Sequence, residues 1–464
     1  MADTGTKKLS ARSLVMRFIS VVTRFTSDEP LPVVVSRKTP TDTPRALAEF
    51  GTQIAAQPKP VSELAVSPGE FSSVGGSGSA TPETRPSALT ALRAALYDEL
   101  HDVHIVFLGD SITWGNSVSN SAPSDPRGHT LDDVRNHVLP DTTITPNRPI
   151  PPSWFNLLHQ YFGRRFSVGV LTSPAPGVAL YTAQHIIDVA NDPNVSVVNS
   201  STGVAAGKVI STITDSLMQQ CCDVSNGNAL KFSVTSNNFT ICYATLNNHP
   251  DDCFEVFVDG VLQGVVSTYH ASITYGLTAE YAVQWAKHDV LVVCHGATTR
   301  FEGIKRTRTI RLKNQGLIGT NTAEWLPTRR ILPSSITADD EFVFVQLGTN
   351  DRVKGPPADP AWTKRNLTVI ARYLLNAGKK VTLMTANFAT KDYPTGSYRY
   401  GQADIARVTV HVANENKCSL IDNYEATLRQ YLDGTLSLAD GLHPADASHM
   451  AMFKNIASRI DSAA

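Results

Sequence analysis

The stretch Val103-His-Ile-Val-Phe-Leu-Gly-Asp-Ser-Ile-Thr-Trp-Gly115 decides how the rest of the chain is read. Val103–Leu108 is a short apolar run that stops at Gly109, the pattern of a strand buried on both faces of a parallel sheet. In an open parallel sheet ligands bind beyond the carboxyl ends of the strands, so Ser111 is placed at such a mouth. Gly109-Asp110-Ser111 alone means little, because most such tripeptides are ordinary turns or helix caps. The surrounding sequence has to supply the rest.

Working outward, Ser87–Tyr97 predicts a capped helix ahead of this strand, and Trp154–Phe162 predicts another behind it. From residue 306 strands and helical stretches alternate. Thr309–Leu312, Phe342–Leu347, Lys380–Thr385 and Ser419–Asp422 read as strands, Trp362–Leu375 and His449–Ile460 as helices. This alternation argues for an α/β fold, a parallel sheet covered on both faces, to which Val103–Leu108 also belongs. Residues 166–305 have a different character. Leu230–Thr235, Phe239–Leu246, Phe254–Val258, Ser272–Tyr275 and Val290–Cys294 are short β-prone runs, and Asp259-Gly260 sits between two strand-like halves. Such spacing suggests an inserted β-sandwich or jelly-roll domain. The expected organisation is an N-terminal arm over 1–95, an α/β domain in two parts over 96–165 and 306–464, and a β-rich insertion over 166–305.

Four short elements carry chemistry. A serine hydroxyl needs a base to remove its proton, and that base needs a carboxylate to fix its tautomer. Asp440-Gly-Leu-His443, just before the last helix, offers both, with the Asp close enough on a short turn to reach the ring. Without a serine partner the same residues would be a turn former and a surface histidine. Gly348-Thr-Asn350-Asp351 follows the apolar strand Phe342–Leu347, and an amide side chain there can donate to a developing oxyanion. Asn-Asp pairs also simply favour turns. Gly316, in Asn314-Gln-Gly-Leu-Ile-Gly-Thr320, lets the backbone offer its N–H at close range. Gly203 is the rival glycine, but it lies in the β-rich region and far from Asn350.

In this order, the four elements resemble the SGNH (GDSL-like) hydrolases. Gly109–Ser111 matches the nucleophile block, Gly316 the glycine donor, Gly348–Asp351 the Gly-x-Asn-Asp block, and Asp440 and His443 the Asp-x-x-His block. The resemblance covers about 96–165 and 306–464. It departs from the family in one respect: Ser111 and Gly316 lie much further apart than usual, and the β-rich stretch accounts for most of the excess. The resemblance implies a flavodoxin-like α/β/α sandwich and acyl transfer through Ser111, with His443 as base and Asp440 as its partner. It implies an oxyanion hole made by the N–H groups of Ser111 and Gly316 and the side chain of Asn350. It implies no metal and no organic cofactor. Family members cleave lipid, thioester, aryl and sugar acetyl esters, so the triad does not choose a substrate.

Composition narrows the classes further. The 464 residues are too many for one ordinary core. With 42% hydrophobic residues, 18% charged residues and a formal net charge of −1, a folded globule is expected, with no electrostatic case for nucleic acid. The six cysteines, Cys221, Cys222, Cys242, Cys253, Cys294 and Cys418, form no CxxC or metal-ligand spacing and are expected as thiols. No run approaches the ~20 apolar residues of a membrane span. The basic segment with Leu14, Val15, Phe18, Ile19, Val22 and Phe25 at helical spacing is interrupted by Arg17 and Arg24, so it does not read as a secretory signal. It reads as a docking helix or as a membrane-surface helix, and the Pro- and Ser/Gly-rich residues after it as a tail or an attachment arm. The sandwich-like insertion and the lack of a long apolar lid favour an O-acetylated carbohydrate substrate. By analogy the arm suits a homo-oligomeric or virion tail attachment, as on a phage tail spike, and localisation is otherwise open. A lipid esterase or thioesterase, and a silent adhesin on the same scaffold, are the alternatives.

Overall fold

The computed structural model describes residues 87–119, 151–175, 177–246, 249–353, 359–394 and 397–463. The chain divides into two units, Met1–Pro82 and Glu83–Ala464, and every described residue belongs to the second. The readings made for the basic segment and for the Pro- and Ser/Gly-rich stretch lie outside the described residues.

The described part opens with α1 (Ala88–Tyr97), whose first turn is capped by Ser87 accepting the Thr90 N–H. Strand β1 (Val103–Gly109) follows, then the one-turn helix α2 (Ser111–Trp114) and α3 (Trp154–Phe166). Next come β2 (Val170–Thr172), β3 (Val178–Ile187), β4 (Ser196–Asn199), β5 (Val209–Thr212) and β6 (Gln220–Ser225). They lead into β7 (Asn228–Thr245), β8 (Cys253–Val258), β9 (Val261–Ser267), β10 (Thr274–His295) and β11 (Thr298–Gly316). The last part holds α4 (Ile331–Ser335), β12 (Phe342–Gln346), α5 (Pro360–Asn376), β13 (Lys380–Met384), α6 (Gln402–Glu415), β14 (Ser419–Ile421), α7 (Asn423–Leu432) and α8 (Asp446–Asp461).

The fold is mixed α/β with one large mixed sheet. Its parallel part runs β14-β13-β12-β1-β11, with β1 between β11 and β12. Numbered along the chain these five strands have the order 2-1-3-4-5, that of a flavodoxin-like sheet, whose switch point lies between β1 and β12. Strand alternation sends Ile105 and Phe107 to one face, where Leu92, Phe155, Phe162 and Ile456 from α1, α3 and α8 cover them. Val106 and Leu108 face the other way, toward Leu367, Ile370 and Leu374 of α5 and Val412 of α6.

The β-rich region has its own apolar core, including Leu230, Phe232, Phe239, Ile241, Phe254, Val292 and Phe301. Its strands nevertheless belong to the same sheet as β1. The C-terminal half of β11 pairs in parallel with β1, while Arg300–Lys305 pair antiparallel with β7 and Arg306–Lys313 with β3. The expected boundary between residues 305 and 306 therefore falls inside one continuous strand. Several runs read as separate strands are also parts of one. Leu230–Thr235 and Phe239–Leu246 merge into β7, and Ser272–Tyr275 and Val290–Cys294 into β10, because the polar residues between them continue the ladder across a bulge near Ala282–Ala286. The seam is buried and charged. Asp102 accepts the Thr309 N–H at 2.8 Å and the Ser236 hydroxyl at 2.9 Å, and it pairs with the buried Arg306. All six cysteines are thiols, and burial pushes Cys222 up to about 11. Among the described residues no helix is long and apolar enough to cross a membrane.

Candidate active site

Strand β1 ends at Gly109, where an added Cβ would lie 2.0 Å from Thr113 Oγ1, so only glycine lets α2 turn back this tightly. Asp110 caps α2 by accepting the Ile112 N–H at 3.0 Å, and burial pushes its carboxyl up to about 6. Trp154 of α3 supports α2 by donating its indole N–H to the Ile112 carbonyl at 3.3 Å. These contacts fix Ser111 as the first residue of α2, 3% exposed, beyond the carboxyl end of β1.

His443 reaches this serine from the turn before α8. Its Nε2 lies 2.9 Å from Ser111 Oγ, and its Nδ1 lies 2.8 Å from Asp440 Oδ2. The carboxylate also accepts the backbone N–H groups of His443 at 2.8 Å and Leu442 at 3.0 Å through Oδ1. Burial works against the charged form of Asp440, but these hydrogen bonds and the ring bring its carboxyl down to about 2. The carboxylate is thus ionised at neutral pH and takes the Nδ1–H, which leaves the Nε2 lone pair toward the serine hydroxyl. The Asp440 side chain is 49% exposed, so its hold on the ring is partly shared with water.

Asn350 lies in a 3-10 turn over Thr349–Arg352, after Gly348 at φ +116°. Its Nδ2 donates to the Thr320 carbonyl at 3.0 Å. An amide nitrogen has two protons, so this bond orients the side chain and leaves the second proton to aim. Asp351 ties the same two loops together. It accepts the Thr322 N–H at 2.8 Å and the hydroxyls of Thr322 at 2.6 Å and Thr363 at 2.7 Å, and burial pushes it up to about 6.

Gly316 requires a correction. Its N–H already donates to Asn314 Oδ1 at 2.9 Å, and Asn314 Nδ2 donates to the Thr113 carbonyl at 2.9 Å. A Cβ at 316 would come within 2.3 Å of the Trp114 nitrogen. Glycine stands here so that β11 and α2 can touch, and the N–H serves that junction. Three residues on, Gly319 sits at φ +75° in the turn that leads to Thr320, the residue whose carbonyl holds Asn350. Sequence reading passed over it because Asn314-x-Gly316-x-x-Gly319 has two glycines, and only the structure shows which N–H the Asn314 side chain takes. The rival Gly203 lies in an exposed turn after β4, its N–H donating to the Asn199 carbonyl at 2.9 Å.

Sequence reading also missed Asn387. It is fully buried beyond the end of β13, and its Nδ2 donates to the Leu442 carbonyl at 2.8 Å, next to His443. The same Nδ2 also donates to the neighbouring Phe388 carbonyl at 2.8 Å, and no local motif marks the residue, since Leu442 is distant in sequence. Among the described residues no group of three His, Cys, Asp or Glu side chains comes together in a way that could hold a metal ion.

Residues 271–451 match the GDSL-like lipase/acylhydrolase family. This stretch contains Gly316, Gly319, Asn350, Asp440 and His443 but not Ser111, which meets His443 through space. Among solved structures, a peptidoglycan O-acetylesterase is similar at 12% identity, over 81% of this chain and 95% of that one, with a TM-score of 0.37. Axe2, an acetylxylan esterase from Geobacillus stearothermophilus, is similar at 20% identity over 32% and 72%, with a TM-score of 0.27. Protein YxiM from Bacillus subtilis is similar at 15% identity over 58% and 88%, also with a TM-score of 0.27. Among curated proteins no relative matches the sequence.

Proposed function

We propose that this chain, with its GDSL-like lipase/acylhydrolase match over residues 271–451, is a serine ester hydrolase in which Ser111 is the nucleophile. The observation that carries the reading is the contact of Ser111 Oγ with His443 Nε2 at 2.9 Å, with Asp440 on the opposite ring nitrogen, at the carboxyl end of a parallel strand. His443 takes the hydroxyl proton while Ser111 Oγ bonds to the ester carbonyl carbon, and Asp440 stabilises the imidazolium. The oxyanion is held by the Ser111 N–H, by Asn350 Nδ2 and by the backbone of the turn that carries Gly319, in place of Gly316. His443 then protonates the leaving alkoxide. Water, deprotonated by the same ring, releases the acid from Ser111.

For the substrate we favour an O-acetyl ester on a carbohydrate. The segment beside the Asp440–His443 turn is polar: Thr390 and Lys391 both donate backbone N–H groups to the Gly441 carbonyl at 2.9 Å, and Asp392 and Tyr393 follow. Tyr393, 55% exposed, offers an aromatic face with a hydroxyl, better matched to a sugar than to a long acyl chain. Attachment through residues 1–95 to a larger particle such as a phage tail belongs to the same reading. The test is hydrolysis of aryl esters of increasing acyl length, together with acetate release from O-acetylated polysaccharides. Acetyl preference and polysaccharide deacetylation are expected. Preference for long acyl chains would replace the substrate class, and no ester hydrolysis at all would remove the function.

A further inference from the structure

The turn that carries His443 is held from two sides. On the side of its N–H groups Asp440 accepts from Leu442 and His443, but Asp440 is half exposed. The carbonyl side is held by the chain leaving β13. The Gly441 carbonyl accepts the N–H groups of Thr390 and Lys391, each at 2.9 Å, and the Leu442 carbonyl accepts Asn387 Nδ2 at 2.8 Å. This segment is itself anchored. Thr385 donates its N–H to the Ile421 carbonyl at 3.0 Å and its hydroxyl to Asp422 at 2.8 Å, and the Phe388 N–H donates to Thr427 Oγ1 at 2.7 Å. Gly441, at φ +82°, lets the two chains meet, since a Cβ there would lie 2.9 Å from Lys391 Cβ.

We infer that Asn387 is a positioning residue for His443, and that the Thr385–Lys391 segment is the rigid half of the clamp that aims its Nε2 at Ser111. The inference rests on the proposed role of His443 as the base. Asn387 is the one side chain on this segment, among the described residues, that donates to the turn from full burial. Its loss leaves the Leu442 carbonyl without that donor, and the peptide that leads into His443 keeps its N–H bond to the half-exposed Asp440 but loses its buried anchor. Proton transfer depends steeply on this alignment, whereas binding of the intact ester does not.

Two variants test it. Asn387→Leu keeps the volume and removes the donor, and it should lower kcat on an aryl acetate by roughly 10- to 100-fold with KM within about twofold. Asn387→Asp gives a pH signature. A buried carboxyl is pushed up, and only its protonated form can donate to the Leu442 carbonyl. Its kcat relative to the unmodified protein should therefore fall as pH rises, while the folded fraction, followed by circular dichroism at each pH, stays unchanged, which separates the effect from loss of stability. If Asn387→Leu does not fold, the Asp variant at low pH carries the test. Unchanged kcat and an unchanged pH profile in folded variants would overturn the inference. So would equal losses in Asn387→Asp at every pH. An unmodified protein that neither hydrolyses the acetate nor reacts with a fluorophosphonate at Ser111 would instead overturn the serine-hydrolase reading. In that case the His443 Nδ1–H proton resonance still decides the positioning claim, moving in Asn387→Leu if the clamp is real and staying fixed if it is not.

Discussion

In the proposed mechanism Ser111, His443 and Asp440 act on one proton, so their contributions to the barrier would not add. Ser111→Ala is expected to lower kcat on the order of 10⁶-fold, His443→Ala about as much, and the double variant little more. Additive losses in steady-state kinetics would dissolve the unit. Asp351 gives a second prediction through pH. Its folded carboxyl titrates at about 6 against 3.8 unfolded, so between these values the unfolded chain gives up its proton first. Stability falls as pH rises through that window, with a contribution on the order of 3 kcal/mol, and Asp351→Asn should flatten the fall. Parallel stability curves for the two proteins, from urea midpoints at pH 4 to 7, would refute the raised carboxyl. The serine, the histidine and its Asp were legible in sequence because each lies in a short motif next to a strand or turn signal. Gly316 was misread and Asn387 unseen because what decides both is a side chain from elsewhere: Asn314 on one N–H, and the Leu442 carbonyl beneath one amide.

At the level of elements, the turn Asp440–His443 and the chain Thr385–Lys391 form one device, and Gly441 is its weakest point to substitution. Gly441→Ala puts an L side chain at φ +82° and against Lys391. Activity on an aryl acetate should drop at least tenfold while the near-UV circular dichroism stays native, because the damage is confined to one turn. Full activity would show that the turn yields without moving His443. The parallel strands were readable as apolar runs bounded by turn residues. The helix α6 was not, since its Val408-Thr-Val-His-Val412 core is rich in β-branched residues that read as strand, and burial of Ile405 and Val412 against the sheet overrides that preference. The long strands β7 and β10 were cut into pieces for the opposite reason: Ser236-Asn237-Asn238 looks like a turn, but the ladder runs through it.

In the whole molecule, the β-rich stretch is bracketed by the antiparallel pair β3 and β11. His185 pairs with Arg306, and a Cβ on Gly303 would lie 3.1 Å from the Ile187 carbonyl oxygen, so the two ends of 188–303 are neighbours. Replacing 188–303 with Asn-Gly should close β3 and β11 into a hairpin. It removes Ser236 from Asp102 but leaves the Asp102–Arg306 pair. The folded variant should keep aryl acetate turnover within roughly tenfold and lose most activity on polysaccharide, where binding extends beyond the reacting ester. Equal loss on both substrates would mean that this stretch builds the active site, and equal retention that it serves attachment. Sequence character alone marked the stretch as different, but not that it shares a strand with its host, because a strand's partners are not written in its own residues.

Everything proposed for this site depends on Ser111 being a nucleophile activated by His443. Reaction with a fluorophosphonate, followed by peptide mapping in a mass spectrometer, tests it most directly. A single adduct on Ser111 is expected, formed in the unmodified protein, strongly slowed in His443→Ala, and accompanied by complete loss of ester hydrolysis. An adduct on another residue, or hydrolysis that survives in Ser111→Ala, would contradict it.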